Sequence, residues 1–171
     1  TLLHKYVLLI CITGICLGST ANTVNKQTAT VDVKHIRLQL TFNWKEKKVF
    51  GTAAIKLSTT QSSSLVHLDA GNLTIHSIKL ADSTALSFNY DGGDTDDGLH
   101  INLNKEYVAS EEITILISYH TNHINQPDPN FPGGSFGKGL RFFSPTTVNP
   151  TRRKQVWSQG EVENNKYWFP C

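Results

Sequence analysis

Methionine is absent from all 171 residues. Translation starts on methionine, so the chain is expected to lack its first residue or more. Long apolar runs are scarce too. The longest, Tyr6 to Leu17, falls short of the roughly 20 residues that a spanning helix needs. No run of Lys and Arg occurs, and 16 basic residues face 14 acidic ones for a net charge of +2. That balance argues against a nucleic-acid surface. Nowhere do apolar residues recur at i, i+3, i+4 and i+7 over three turns, so amphipathic helices are not expected. None of the seven histidines, His4, His35, His67, His76, His100, His120 and His123, is followed by Glu. The HExxH zinc-hydrolase motif is therefore missing. No GxSxG nucleophile elbow is present either.

What is present begins with an export signal. His4 and Lys5 form a short basic stretch, Tyr6 to Leu17 an apolar one, and Ser19-Thr20-Ala21 a small-residue stretch. This order predicts a signal peptide over 1–21, cleaved after Ala21. An uncleaved anchor is the alternative. A lipoprotein signal fits poorly, because Cys11 and Cys16 each follow Ile rather than a small residue. The expected location is outside the cytoplasm, secreted or periplasmic, with no stable membrane span after cleavage. Two of the three cysteines leave with the signal. Cys171 remains alone, and a single cysteine makes no internal disulfide. Residues 22–171 must hold together by burial, and a chain of about 150 residues buries roughly 68–70% of its unfolded surface.

Residues 22–29 are polar and read as a leader. The apolar residues then alternate. Val31 and Val33 share one parity, and Ile36, Leu38, Leu40 and Phe42 share the other. Alternation places side chains on opposite faces of a strand, and the parity switch near Lys34-His35 predicts a bulge. A polar turn over Asn43–Lys47 precedes a second alternating run, Val49, Gly51, Ala53, Ile55 and Leu57. The two runs read as a hairpin. A loop follows over Thr59–Ser64. Short strands are expected at Leu65–Leu68, at two runs around Leu73 and Ile75 and around Ile78 and Leu80, and at Leu86–Tyr90. Leu99, Ile101 and Leu103 alternate after a turn at Asp91–Gly98, and Ile113, Ile115, Ile117 and Tyr119 form the cleanest alternating face. Asn122 to Gly139, with three prolines, reads as a long loop. The pattern predicts an all-β fold, an antiparallel sandwich or saddle.

Few residues carry chemistry. His120 and His123 are three apart at a strand end and would point to opposite faces, which favours two surface imidazoles over a metal site. Asp91, Asp94, Asp96 and Asp97 suggest calcium, but an EF-hand needs Gly at its sixth position and Glu at its twelfth. Counting from Asp94, Gly98 is fifth and Lys105 twelfth, so a solvated turn is the better reading. Asn72-Leu73-Thr74 is an N-glycosylation triplet of low specificity. No environment supports Cys171 as a nucleophile. The last segment, VWSQGEVENNKYWFPC from Val156 to Cys171, sets Gln159, Glu161 and Glu163 between Trp157 and the cluster Tyr167, Trp168, Phe169 and Pro170. Such a loop could hold carboxylates in a defined place. Taken alone, it reads more simply as a loop whose aromatics fill the core and whose acids face solvent.

A resemblance changes that weight. The string SQGEVENNKYWFPC resembles the TQ-x-E…FPC segment of the N-terminal domain in the aminopeptidase N family of zinc peptidases. VDVKHIRLQLTFNWKEKKVFGTAAIKL is similar to that family's opening hairpin, VHLDAGNLTIHSIKL to the segment after it, and GKGLRFF to the stretch before the Gln-Glu loop. The series covers most of 31–171. It implies that 22–171 is a partial N-terminal β-domain, separated from a missing catalytic domain that holds HExxH and zinc. It implies that Glu161 binds the free α-amino group of a peptide substrate, with Gln159 as a neighbouring contact, and that this chain contains no catalytic or metal residues of its own. Glu163 reads better as a surface ion-pair residue. Lys166 stands where many members have Arg, so a bidentate contact there would be lost. The implied whole is a secreted zinc aminopeptidase, with a non-catalytic relative and an unrelated binding module as rivals.

Overall fold

The computed structural model describes residues 30–92, 98–122, 139–158, 160 and 164–171. Nine strands are present among them: β1 (Val31–Asn43), β2 (Lys48–Thr59), β3 (Ser63–Asp69), β4 (Leu73–Leu80), β5 (Ser87–Asn89), β6 (Gly98–Tyr107), β7 (Glu112–Thr121), β8 (Leu140–Phe143) and β9 (Gln155–Ser158). A short 3-10 turn, Asn164–Tyr167, follows β9. Among the described residues no helix is long and apolar enough to cross a membrane. The fold is all-β, as the alternation predicts. The expected signal segment 1–21 and the expected leader 22–29 lie outside the described residues.

The strands form three antiparallel sheets with orders β1-β2-β7-β4, β3-β6-β5 and β8-β9. The first sheet is built in rows across its strands. In one row Ile36, Ile55, Ile115 and Leu80 lie side by side; in the next come Leu38, Ala53, Ile117 and Ile78. The third row is Leu40, Gly51, Tyr119 and Ile75. In the second and third rows a small residue of β2, Ala53 or Gly51, stands between larger neighbours. Tyr119 lies over Gly51, where an added Cβ would stand 3.0 Å from the phenol ring and 2.9 Å from Leu40. Glycine there makes room for the aromatic ring, as it does where another group approaches a strand closely.

The second sheet turns Val66, Leu68, Leu99 and Ile101 inward, in facing pairs Val66–Ile101 and Leu68–Leu99. These residues and the inner faces of β2, β4 and β7 make one continuous buried cluster. Period-2 alternation produces it, because every second side chain of each strand reaches the same side. The polar partners stay outside, where Lys56 and Glu112 pair across β2 and β7 at 2.6 Å.

The register shifts between Val33 and His35. The bulge expected from the parity switch is there, and it lets Val31 and Ile36 both pack on the core. A second shift corrects the sequence reading. Leu73 to Leu80 is one strand, not two, with a bulge between Ile75 and Ser77 that leaves His76 as the extra residue. A bulge and a strand break give the same parity slip in sequence, and only the ladder to β7 distinguishes them. The loop expected at Thr59–Ser64 is shorter than read, since β2 runs to Thr59 and β3 starts at Ser63. Thr59 is buried and extends the ladder through its backbone, its carbonyl accepting from the Ser110 amide.

Candidate functional site: the flanks of the segment after the last strand

Gln159, Glu161 and Glu163 lie outside the described residues. Their flanks are described, and both are fixed. Upstream, β8 and β9 form a ribbon pairing Leu140 with Ser158, Arg141 with Trp157, Phe142 with Val156 and Phe143 with Gln155. Its Phe142 side leans on the tip of the β1–β2 hairpin. The Phe142 ring meets Trp44 edge-on at 5.4 Å and Phe42 at 6.5 Å. Lys154 caps Trp44 at 5.7 Å. The other side carries Phe143 and Trp157, whose rings are 5.2 Å apart, with Arg152 4.5 Å above Phe143. Trp157 is 60% exposed.

Downstream, the anchor is stronger. The Asn165 carbonyl accepts from the amides of Trp168 and Phe169. The Asn165 side chain also accepts from the Trp168 indole at 3.2 Å. The Lys166 carbonyl accepts from Gly71, and Asp69 and Cys171 exchange backbone hydrogen bonds of 2.7 and 3.0 Å. Phe169 is buried in the core cluster, with Trp168 and Cys171 packed against it. The FPC end is thereby stitched to the β3–β4 connection. Gly160 sits between the two anchors, where a Cβ would fall 2.2 Å from Asn165 Oδ1. Only glycine fits there without displacing the Asn165 side chain.

Cys171 now has an environment. Burial, together with the neighbouring Asp69 charge, raises its thiol to a pKa of about 11. The thiolate is the nucleophile, so at neutral pH this group stays an inert thiol. Among the described residues no cluster of three or more His, Cys, Asp or Glu side chains could hold a metal ion. A resident zinc does not fit the described residues.

Four histidines form two pairs that sequence spacing could not reveal. His123 lies outside the described residues; the Nδ1 of His120 is 2.8 Å from Nε2 of His76. Burial first, then the charges of Lys48 and His76, hold the His120 imidazole below its usual pKa, with Glu46 opposing. His67 and His100 stack across β3 and β6 at 4.5 Å. The calcium question at Asp91–Asp97 falls mostly on residues outside the described set. Asn72 of the glycosylation triplet is half-buried in left-handed backbone (φ 51°), its amide bonded to the Gly92 carbonyl and its carbonyl to the Asn122 amide.

No curated protein matches the chain closely enough to count as a relative. Solved structures share its fold. Yeast leukotriene A4 hydrolase in complex with bestatin superposes with a TM-score of 0.61 at 19% identity, over 83% of this chain and 20% of that one. The M1 zinc metallopeptidase of Deinococcus radiodurans, a mutant bound to a Tyr-Ser-Ala substrate, gives 0.59 at 15% identity, over 83% of this chain and 29% of that one. The chain thus spans well under a third of the length of these structures. The profile of the Peptidase M1 N-terminal domain matches residues 32–171. An unrelated β-sandwich module is thereby excluded: this chain belongs to the Peptidase M1 N-terminal domain family, the β-domain found in M1 zinc metallopeptidases.

Proposed function

We propose that this domain serves an exported zinc aminopeptidase by binding the free α-amine of a peptide substrate through Glu161, with Gln159 beside it. The observation that carries the reading is that both flanks of segment 159–163 are anchored. Ser158 is held in the β8–β9 ladder and Asn165 to Cys171 are stitched to the β3–β4 connection. A carboxylate on a short segment between fixed ends loses little freedom when it binds a cation. An α-amine with a pKa near 7.7–8.0 is mostly charged at pH 7. Two opposite charges about 4 Å apart attract by roughly 4 kcal/mol at an effective dielectric of 20, before desolvation. A carboxylate one residue from the scissile bond restricts cleavage to chain ends.

Zinc would be held by residues of a catalytic domain outside this chain. There it would polarise the carbonyl and activate water. The exposed Trp157, with Phe42 at 42% and Val148 at 94% exposure, supports a further domain covering this end, since large exposed apolar groups mark contact surfaces.

In the complete gene product, Glu161→Ala should lower kcat/KM for peptides with a free N-terminus by roughly 100-fold, about 2.7 kcal/mol. Gln159→Ala should cost less. N-acetylated peptides, already poor, should not change. An unaltered kcat/KM in Glu161→Ala would remove the proposed role. Where the parent has no peptidase activity, calorimetry with a free dipeptide reads the same contact, and wild-type binding would identify a non-catalytic relative. Export rests on the 1–21 segment. Edman sequencing of the protein from the extracellular or periplasmic fraction should begin at Asn22, whereas a start within 1–21 would mean a retained anchor.

A further inference from the structure

We infer that His76 and His120 form a surface chelate for a first-row divalent ion, Cu2+ above all. The bulge in β4 makes the site. Thr74 and Ile75 stand opposite His120 and Tyr119, and Ser77 stands opposite Ser118, so His76 is the inserted residue. It is exposed, and it lies beside His120 on the neighbouring β7. Their ring centroids are 4.9 Å apart, and the nearest nitrogens 2.8 Å.

Proximity permits the chelate. Two imidazole nitrogens each about 2.0–2.1 Å from one ion stand about 2.9 Å apart at a right angle and about 3.3 Å apart at a tetrahedral angle. From a starting separation of 2.8 Å a small turn of the rings reaches either. Imidazole suits Cu2+, Ni2+ and Zn2+, and Cu2+ binds most tightly in the first-row series. In the free protein the two nitrogens face each other, sharing one hydrogen between them. Chelation requires the rings to pivot so that both lone pairs converge outward. His76 can turn because it is exposed on the bulge. His120 is steadied by the Phe50 ring at 5.2 Å. The charged groups in reach of His120 are Lys48 and Glu46, opposite in sign and 4.0 Å from each other. They leave no large net charge against a cation.

His67 and His100 provide the internal comparison. Their rings are parallel within 4° and 4.5 Å apart, a face-to-face stack rather than the tilted contact of His76 and His120. The test is Cu2+ titration of the full chain at pH 7.4, by calorimetry and electron paramagnetic resonance. Wild type should bind one more Cu2+ per chain than His76→Gln and than His120→Gln, with nitrogen hyperfine structure that both variants lose. His67→Gln should match wild type. Circular dichroism shows that each variant is folded; His76, exposed on a bulge, is the safer substitution. Equal copper stoichiometry in wild type and folded His76→Gln overturns the proposal.

Discussion

Ile115→Ala should cost about 2–5 kcal/mol of stability, a large share of the 5–15 kcal/mol that a domain usually has. Ile115 is fully buried at the centre of the first sheet. It stands between Ile55 on β2 and Leu80 on β4, both buried, and faces the second sheet across the core. Its neighbours on β2 and β4 are fixed by their own ladders, so the cavity cannot collapse and the cost should fall in the upper part of the range. Thermal melting of the full chain should drop by roughly 10 °C. Ile115→Val, which removes one methyl, should cost only about 0.5–1.5 kcal/mol. A melt of Ile115→Ala within a degree or two of wild type would mean that β7 is not the central strand of a packed sandwich.

Phe169→Ala should be nearly as damaging, at about 3–5 kcal/mol, and should act on the candidate site as well. The ring is the side chain that ties the segment after Glu161 into the core. Its backbone amide bonds to Asn165, and the neighbouring Cys171 pairs with Asp69. Losing the ring should free the 3-10 turn from the β3–β4 connection. Urea melting reads the global loss. Trypsin under native conditions reads the local one, with new cleavage after Lys166 in the variant. Trp157→Ala should stay within about 0.5 kcal/mol of wild type, because Trp157 is mostly exposed. If Phe169→Ala were as mild as Trp157→Ala, the anchor would be decorative and the fixed downstream flank on which the proposed role of Glu161 rests would be lost.

The sequence by itself determined the class of this fold and most of its strands. The alternations at Ile36–Leu40, Val49–Leu57, Leu99–Leu103 and Ile113–Tyr119 became β1, β2, β6 and β7 with the inward sides as read. They were legible because a strand's period of two is local, needing no knowledge of its neighbours. The bulge in β1 was legible for the same reason. The order of strands in the sheets, with β7 between β2 and β4, was not, because hydrogen-bond partners of β7 come from far along the chain. Nor was the single strand at Leu73–Leu80, whose slip in parity fits either a bulge or a break.

The site divides the same way. Composition alone left the Gln159–Glu163 loop as ordinary surface, and Glu161 gained its role from the likeness of SQGE and WFPC to a family segment. Only tertiary structure showed why that segment ends as it does. Asp69 and Gly71 receive Cys171 and Lys166 from about 100 residues later, and Gly160 is glycine because Asn165 occupies the space a side chain would need. Tertiary structure alone also paired His76 with His120. Side chains on different strands meet by register, and register is decided by the whole buried face rather than by any one stretch of sequence.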